Sequence, residues 1–428
     1  MLNRRDFFTA VGAPAAVAAL DPNRARELLS KIAAWPGTPA EAAQDEELWF
    51  QVQQAFTVDR SIVNLNSGGV SPAPSSVQTA MKRHLDFMNA CPAHNMWTIL
   101  EPQLETVRKA MAREFGCDTE EVAFTRNSSE ALQICQLGID LKPGDEMLAT
   151  DQDYGRMLNT FKQREKREGL ALKTFPIPVP CEDPGEIVRL YEKNLTAKTR
   201  VLLMSHMINL TGQILPVRDV ARMARAKGLP LIVDGAHSFA HFPFKRDDVE
   251  CDFFASSLHK WLFAPIGTGL LYVRKDRIES LWPMMAAPEE MRGNIRKFEE
   301  IGTHPAANHN AIAEALAFHQ GIGAERKAAR LRFLRGRWVG RLTQHKKVRL
   351  FTSLKPQFSC GIATFAIEGL DPAKIRDYLW EKHRILVVAI GHKDIPGVRV
   401  SPSVWSTLEE VDRFSDVAEE IVKKGLPS

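Results

Sequence analysis

Lys260 ends the run Ser256-Ser257-Leu258-His259-Lys260, and upstream of it Asp234 closes the apolar stretch Leu231-Ile232-Val233. An amine and a carboxylate of this kind suit one chemistry. The amine condenses with the aldehyde of pyridoxal 5'-phosphate (PLP) as a Schiff base, and the carboxylate keeps the pyridine nitrogen protonated, so that the ring draws electrons from a substrate carbanion. Either residue alone reads as a surface charge or a helix cap. The inference therefore needs a phosphate site, and Thr125-Arg126-Asn127-Ser128-Ser129-Glu130 offers one. It passes from an apolar run into a helical pattern, so Asn127 or Ser128 would cap the helix while free amides and the Ser128 and Ser129 hydroxyls face an anion. By itself the same stretch also reads as an ordinary capping box of Asn127 with Glu130. In Asp234-Gly235-Ala236-His237-Ser238 the glycine permits a sharp turn that brings His237 toward the same cavity. Ser257, three residues before Lys260, could donate to the same phosphate. A rival reading has Asp234, His237 and His241 hold a metal, but no further histidine or glutamate pattern supports it and Lys260 would be left unexplained. No metal is expected.

Ligands of open parallel sheets lie outside the carboxyl ends of the strands, so these residues require strand ends set side by side. Short apolar runs at 122–125, 146–150, 201–204 and 231–233 alternate with helical patterns over 103–115, 128–139, 157–168 and 217–227. Glycines 116, 169 and 228 close several of those helices. Near-continuous apolar strands in this order predict an α/β domain with a buried parallel sheet and right-handed crossovers. After about residue 310 the texture changes to a long helical stretch over 311–342, an apolar run at 361–367, and helices near 371–382 and 407–424. The expected division is a helical segment over 21–62, a large domain over 63–310 and a smaller α+β domain over 311–428, the two domains sharing the site. Residues 1–20 contain Asn3-Arg4-Arg5-Asp6-Phe7-Phe8-Thr9 and then a small apolar run, which reads as a twin-arginine export signal with Ala16-Val17-Ala18 as a candidate cleavage site. That predicts a periplasmic protein exported already folded; an amphipathic N-terminal helix on a cytoplasmic protein is the alternative.

Composition removes several function classes. The 56 basic and 52 acidic residues give a net charge of +4 and are interspersed, so no nucleic-acid surface is expected. No apolar run is long enough for a membrane span. Six scattered cysteines without a C-x-x-C pair indicate neither a zinc knuckle nor a disulfide framework. Gly267-Thr268-Gly269 precedes a strand, whereas the glycine loop of a dinucleotide-binding dehydrogenase follows one.

In this order the residues resemble the class V aminotransferases of PLP fold type I, most closely the isopenicillin N epimerase-like branch, over nearly the whole chain from about Asn64. The resemblance implies PLP as cofactor and an aspartate aminotransferase-like large domain with a mainly parallel, seven-stranded sheet. It implies that Tyr154, in Asp153-Tyr154-Gly155, stacks on the cofactor ring, and that Asn209 contacts the phenolic oxygen. Asp234, His237, Ser257 and Lys260 match the remaining cofactor positions. Thr303, in Phe298-Glu299-Glu300-Ile301-Gly302-Thr303, is implied to enter a partner subunit's phosphate site, making a homodimer. Arg399, in Val398-Arg399-Val400-Ser401-Pro402, is implied to clamp a substrate carboxylate. Asn66 and His392 are the other substrate-side candidates, and Tyr154 joins Lys260 and Asp234 as the catalytic set.

Cysteine desulfurases of this superfamily carry a nucleophilic cysteine shortly before the carboxylate-binding arginine, and residues 390–397 contain none. Cys360 is expected in the core, which disfavours persulfide chemistry. The expected activity is a PLP-dependent reaction at the α-carbon of an amino acid or an amino-acid-bearing peptide or secondary metabolite, by an aminotransferase or epimerase. A C–S lyase acting by β-elimination is the alternative, and a non-catalytic ligand-binding homologue a further one. Tyr154, His237 and His392 are candidates for a second proton transfer, and loops 91–99 (with His94 and Trp97) and 391–397 for the substrate pocket.

Overall fold

The computed structural model describes residues 22–427, so the signal-like segment lies outside the described residues. Among the described residues thirteen strands follow in order: β1 (Val63–Asn64), β2 (Val122–Thr125), β3 (Glu146–Thr150), β4 (Ala171–Phe175), β5 (Thr199–Ser205), β6 (Leu231–Asp234), β7 (Phe253–Ser257), β8 (Gly269–Val273), β9 (Val348–Leu350), β10 (Ala363–Ile367), β11 (Ile385–Leu386), β12 (Val388–His392) and β13 (Ile395–Val400). Seven form one sheet in the order β2-β8-β7-β6-β5-β3-β4. Strands β7, β6, β5, β3 and β4 run parallel, and β8 is antiparallel to both of its neighbours. This is the expected α/β architecture. Both faces are covered, and side chains alternate between them with the strand period of two. Leu231, Val233, Phe254, Leu270 and Tyr272 pack into one layer with the helix Glu101–Phe115. Ile232, Phe253, Ala255 and Leu271 pack into the other with helices Ser128–Gly138 and Gly155–Glu168.

The C-terminal portion is an antiparallel sheet in the order β12-β13-β10-β9, packed against helices Ala324–Leu342, Pro372–His383 and Leu408–Lys424. The long helix expected over 311–342 is two helices, Ile312–Ile322 and Ala324–Leu342. Gly323 separates them at φ 85°, a left-handed value that glycine adopts at no steric cost. Apolar residues continue on both sides of the break, so the hydrophobic pattern does not reveal it. Residues 91–99, expected as a loop, are helical: a turn at Pro92–His94 runs through a π-helical turn, Asn95–Leu100, into Glu101–Phe115. Strand β1 does not join the large sheet. It pairs in parallel with β11, and Asn66 bridges to Ser401, so the start of the described chain is woven into the C-terminal portion. Among the described residues no helix is long and apolar enough to cross a membrane.

Candidate active site

Register sets the site. Ser205 pairs with Asp234 and Asp234 with Ala255, so β5 and β6 finish side by side, with β7 running two residues further, and the last residues of β5 and β6 face one space. That space is a cavity lined by Ser128, Tyr154, Ser205, Met207, Asn209, Asp234, Ala236, His237 and Lys260. Six residues picked from the sequence thus converge: Ser128, Tyr154, Asn209, Asp234, His237 and Lys260. Gly235 permits the turn after Asp234 because a Cβ there would stand 1.9 Å from the Phe254 ring.

The electrostatics suit an amine nucleophile. Burial brings the Lys260 amine down to about 8, with the Arg399 guanidinium pushing the same way and Asp234 opposing. Burial raises Asp234, while the Ala236 N–H, donating to its Oδ1 at 2.9 Å, and the Lys260 charge work against that rise. His237 lies 3.2 Å from Lys260 Nζ through Nε2. Burial, then Lys260, Arg399 and His241, hold its imidazole well below the usual range and therefore neutral. Its Nδ1 is buried without a hydrogen-bond partner among the described residues, an orphaned polar atom of the kind a bound polar group satisfies.

The anion cradle differs in detail from the expected capping box. Asn127 Oδ1 accepts from Glu130 N at 2.9 Å, which makes it the cap. Glu130 does not return the bond; its carboxylate takes the Arg126 N–H at 2.6 Å and the Arg126 guanidinium at 2.6 Å. Ser128 is left free for the cavity, and the Ser257 hydroxyl meets both its N–H, at 3.0 Å, and its Oγ, at 2.8 Å. Two hydroxyls therefore stand at the positive end of an 11-residue helix, where an anion is favoured. Gly269 makes room for this turn, since a Cβ there would lie 2.5 Å from Thr125 Oγ1 and 2.7 Å from the Asn127 backbone. Ser129 is half-buried and is not among the cavity-lining residues.

Asp153 was not anticipated. Its Oδ1 accepts from Ser205 N and Oγ, both at 2.7 Å, and its Oδ2 from Thr150 N at 2.8 Å and Oγ1 at 2.9 Å. It clips the end of β3 to the end of β5 and so fixes the start of the helix that follows Tyr154. Burial pushes its carboxyl up to about 6 against those four donors. A carboxylate just before a predicted helix reads locally as a cap, which hid its longer reach.

Arg399 is buried close behind the cavity, though not among its lining residues, and burial draws its guanidinium down to about 10. Nη1 donates to Asn209 O at 2.9 Å and Nη2 to Asn66 Oδ1 at 3.0 Å, while Nε has no partner among the described residues. Asn66 thus orients Arg399. His392 does not line the cavity; it sits at the end of β12 with Nε2 4.0 Å from Asp151 Oδ2. Asp151, His392 and Asp394 are close enough to share a cation, but the Lys393 ammonium, 3.8 Å from Asp151, already supplies positive charge there. Thr303, His94 and Trp97 are exposed and outside the cavity. The metal alternative at Asp234, His237 and His241 is overturned: His241 Nδ1 is bonded to His237 O at 2.8 Å and its Nε2 accepts from Gly361 N at 3.0 Å, so neither nitrogen is free. Cys360 is buried, as expected for a core thiol.

An amine, a buried carboxylate, a cradle of hydroxyls and amides, an aromatic ring and an unpartnered imidazole nitrogen in one cavity fit PLP. The family model Aminotransferase class-V matches residues 63–414. The chain belongs to the class V aminotransferase family. Among class V relatives, it is 29% identical over 390 residues to the isopenicillin N epimerase of Streptomyces clavuligerus, covering 87% of this chain and 98% of that one. It is 24% identical over 399 residues to a probable cysteine desulfurase of Pyrococcus abyssi, covering 87% and 97%. A solved structure of a C-DES mutant, with glycine covalently linked to the PLP cofactor, superposes with a TM-score of 0.75 at 21% identity over 85% of this chain and 98% of that one. Fold type I and PLP dependence follow for this class V enzyme.

Proposed function

We propose that the enzyme moves the α-proton of an amino acid, or of an amino-acid-bearing peptide or secondary metabolite, and that the outcome is epimerisation or amino-group transfer. The observation that carries this reading is the placement of Lys260 and Asp234 in one buried cavity beside the Arg399 guanidinium. When bound, PLP supplies an electron sink that lets the α-proton leave. Asp234 is the buried carboxylate suited to hold a proton at the pyridine nitrogen, and Tyr154 offers an aromatic face. Lys260, brought down to about 8, presents an amine that takes up and returns a proton near neutral pH. Arg399, oriented by Asn66, has donors to hold the α-carboxylate. Epimerisation needs only a proton removed from one face and returned to the other. Amino-group transfer needs in addition an oxo acid to take the amino group away.

The assembly and compartment belong to the same proposal. Glu299 accepts from Phe124 N at 2.6 Å and from Arg108 Nη1 at 2.6 Å, which ties the segment leading to exposed Thr303 beside β2. That favours a homodimer in which Thr303 serves the partner's phosphate. The twin arginines at 4 and 5 favour export to the periplasm. The test is an absorbance spectrum of the purified protein, followed by L- and D-amino acids in deuterated water. A visible cofactor band with deuterium entering the α-carbon and loss of optical purity supports epimerisation. Conversion of the cofactor to its amine form, reversed by an oxo acid, supports transfer, and release of pyruvate and a thiol would instead identify the C–S lyase. No band after PLP is added would sink the proposal.

A further inference from the structure

Lys327 lies in the helix Ala324–Leu342 of the C-terminal portion and is completely buried. An ammonium is a poor occupant of such a place, since burial without compensation disfavours it strongly. Its amine makes two contacts: Nζ donates to the carbonyl oxygen of Trp261, the residue immediately after Lys260, and lies 3.9 Å from the centroid of the Phe263 ring. Phe263 itself holds a left-handed φ of 63°, which a bulky residue keeps only under restraint from its surroundings. The Trp261 indole has no polar tie of its own, because Nε1 has no hydrogen-bond partner among the described residues. It is held by stacking on His241, with ring centroids 3.6 Å apart. His241 in turn bonds the His237 carbonyl, and His237 stands 3.2 Å from Lys260 Nζ.

We propose that Lys327 is a positioning residue for Lys260, its buried amine pinning the carbonyl after Lys260 so that the Lys260 amine is held beside His237 within the cavity. This rests on the reading of Lys260 as the amine that receives the cofactor. The large domain supplies Lys260 and its neighbours, and the C-terminal portion fixes where that lysine points. An apolar side chain of similar length would fill the same space and leave the Trp261 carbonyl free to turn.

The experiment compares wild type with Lys327→Met, which keeps an unbranched apolar stem and loses the donor, and Lys327→Gln, which keeps a donor one bond short. Two quantities are read in each: the pH midpoint of the cofactor's visible band in the holoenzyme, and, after removal of PLP, the pH dependence of Lys260 acylation by an amine-reactive probe located by mass spectrometry. Lys327→Met is expected to move the Lys260 midpoint upward, toward an ordinary lysine, by about one pH unit, which is about tenfold less free amine at neutral pH. Lys327→Gln is expected to fall between it and wild type. Unchanged midpoints in folded Lys327→Met would overturn the proposal, as would failure of both variants to fold, which would leave Lys327 a purely structural group. Absence of a visible band in wild type would count against the PLP reading alone, because the acylation profile still reports on Lys260.

Discussion

The two sides of the cavity are built differently. The cofactor side rests on adjacent strand ends, where register aligns Ser205, Asp234 and Ala255, and short bonds such as those of Asp153 and Ser128 lock the neighbouring turns. The substrate side hangs on the hairpin β12–β13, and its guanidinium is steadied by Asn66, 333 residues away in sequence. At the hairpin's turn, Lys393 is exposed and its ion pair with Asp151 lies near the surface. Parallel strand ends give a fixed frame for chemistry, while a hairpin can change its tip without disturbing that frame. On the function proposed above, the reaction belongs to the first side and the choice of molecule to the second.

Substitutions on each side should therefore differ in kind. Lys260→Ala is expected to cost about 10⁴-fold in turnover or more and to abolish the visible band, as measured by steady-state kinetics and absorbance. Asp234→Asn should lower kcat by about 10²–10⁴-fold with PLP still bound. It also removes the charge that raises Lys260, so the Lys260 midpoint falls below about 8. Across the cavity, Arg399→Lys loses the fork and should raise KM about 10–100-fold while sparing the band, in line with about 1.5–3 kcal/mol for a charge-assisted bond. A fall in kcat as large as that of Asp234→Asn would erase the distinction between the sides. For wild type, PLP uptake by the cofactor-free protein should rise with pH and level off above about 8, because only the unprotonated Lys260 amine attacks the aldehyde. Gly269→Ala should destabilise the fold by about 1–3 kcal/mol and weaken PLP binding, since its Cβ meets the backbone of the phosphate turn. Smallest is His392→Ala, expected to change stability by about 0.5 kcal/mol or less and to alter the ranking of substrates without moving the cofactor band.

The cofactor side is also the part most legible in the sequence. Apolar strand runs ending in Asp234 or leading into Ser128 place those residues without knowledge of distant partners. Gly323, Asp153 and the Asn66–Arg399 bond were hidden for related reasons. The glycine breaks a helix whose apolar pattern runs on through it, the aspartate reads as a cap until β3 and β5 are seen together, and the asparagine has no local mark of its partner. Glu130 shows the converse case, a residue at capping-box spacing that bonds Arg126 instead. Local pattern carries register and burial; contacts across hundreds of residues leave no periodic trace.

The parallel pairing of β1 with β11 sets an order of events during synthesis. Every strand of the large sheet has left the ribosome long before residue 385 is made, so the walls that would receive PLP can close first. The residues around Asn66 must wait for partners in β11 and beside Ser401, which are made well after the strands of the large sheet. A nascent chain can thus close the walls of its cofactor pocket well before the Asn66–Arg399 bond can form, so the proposed substrate clamp is the later product of folding.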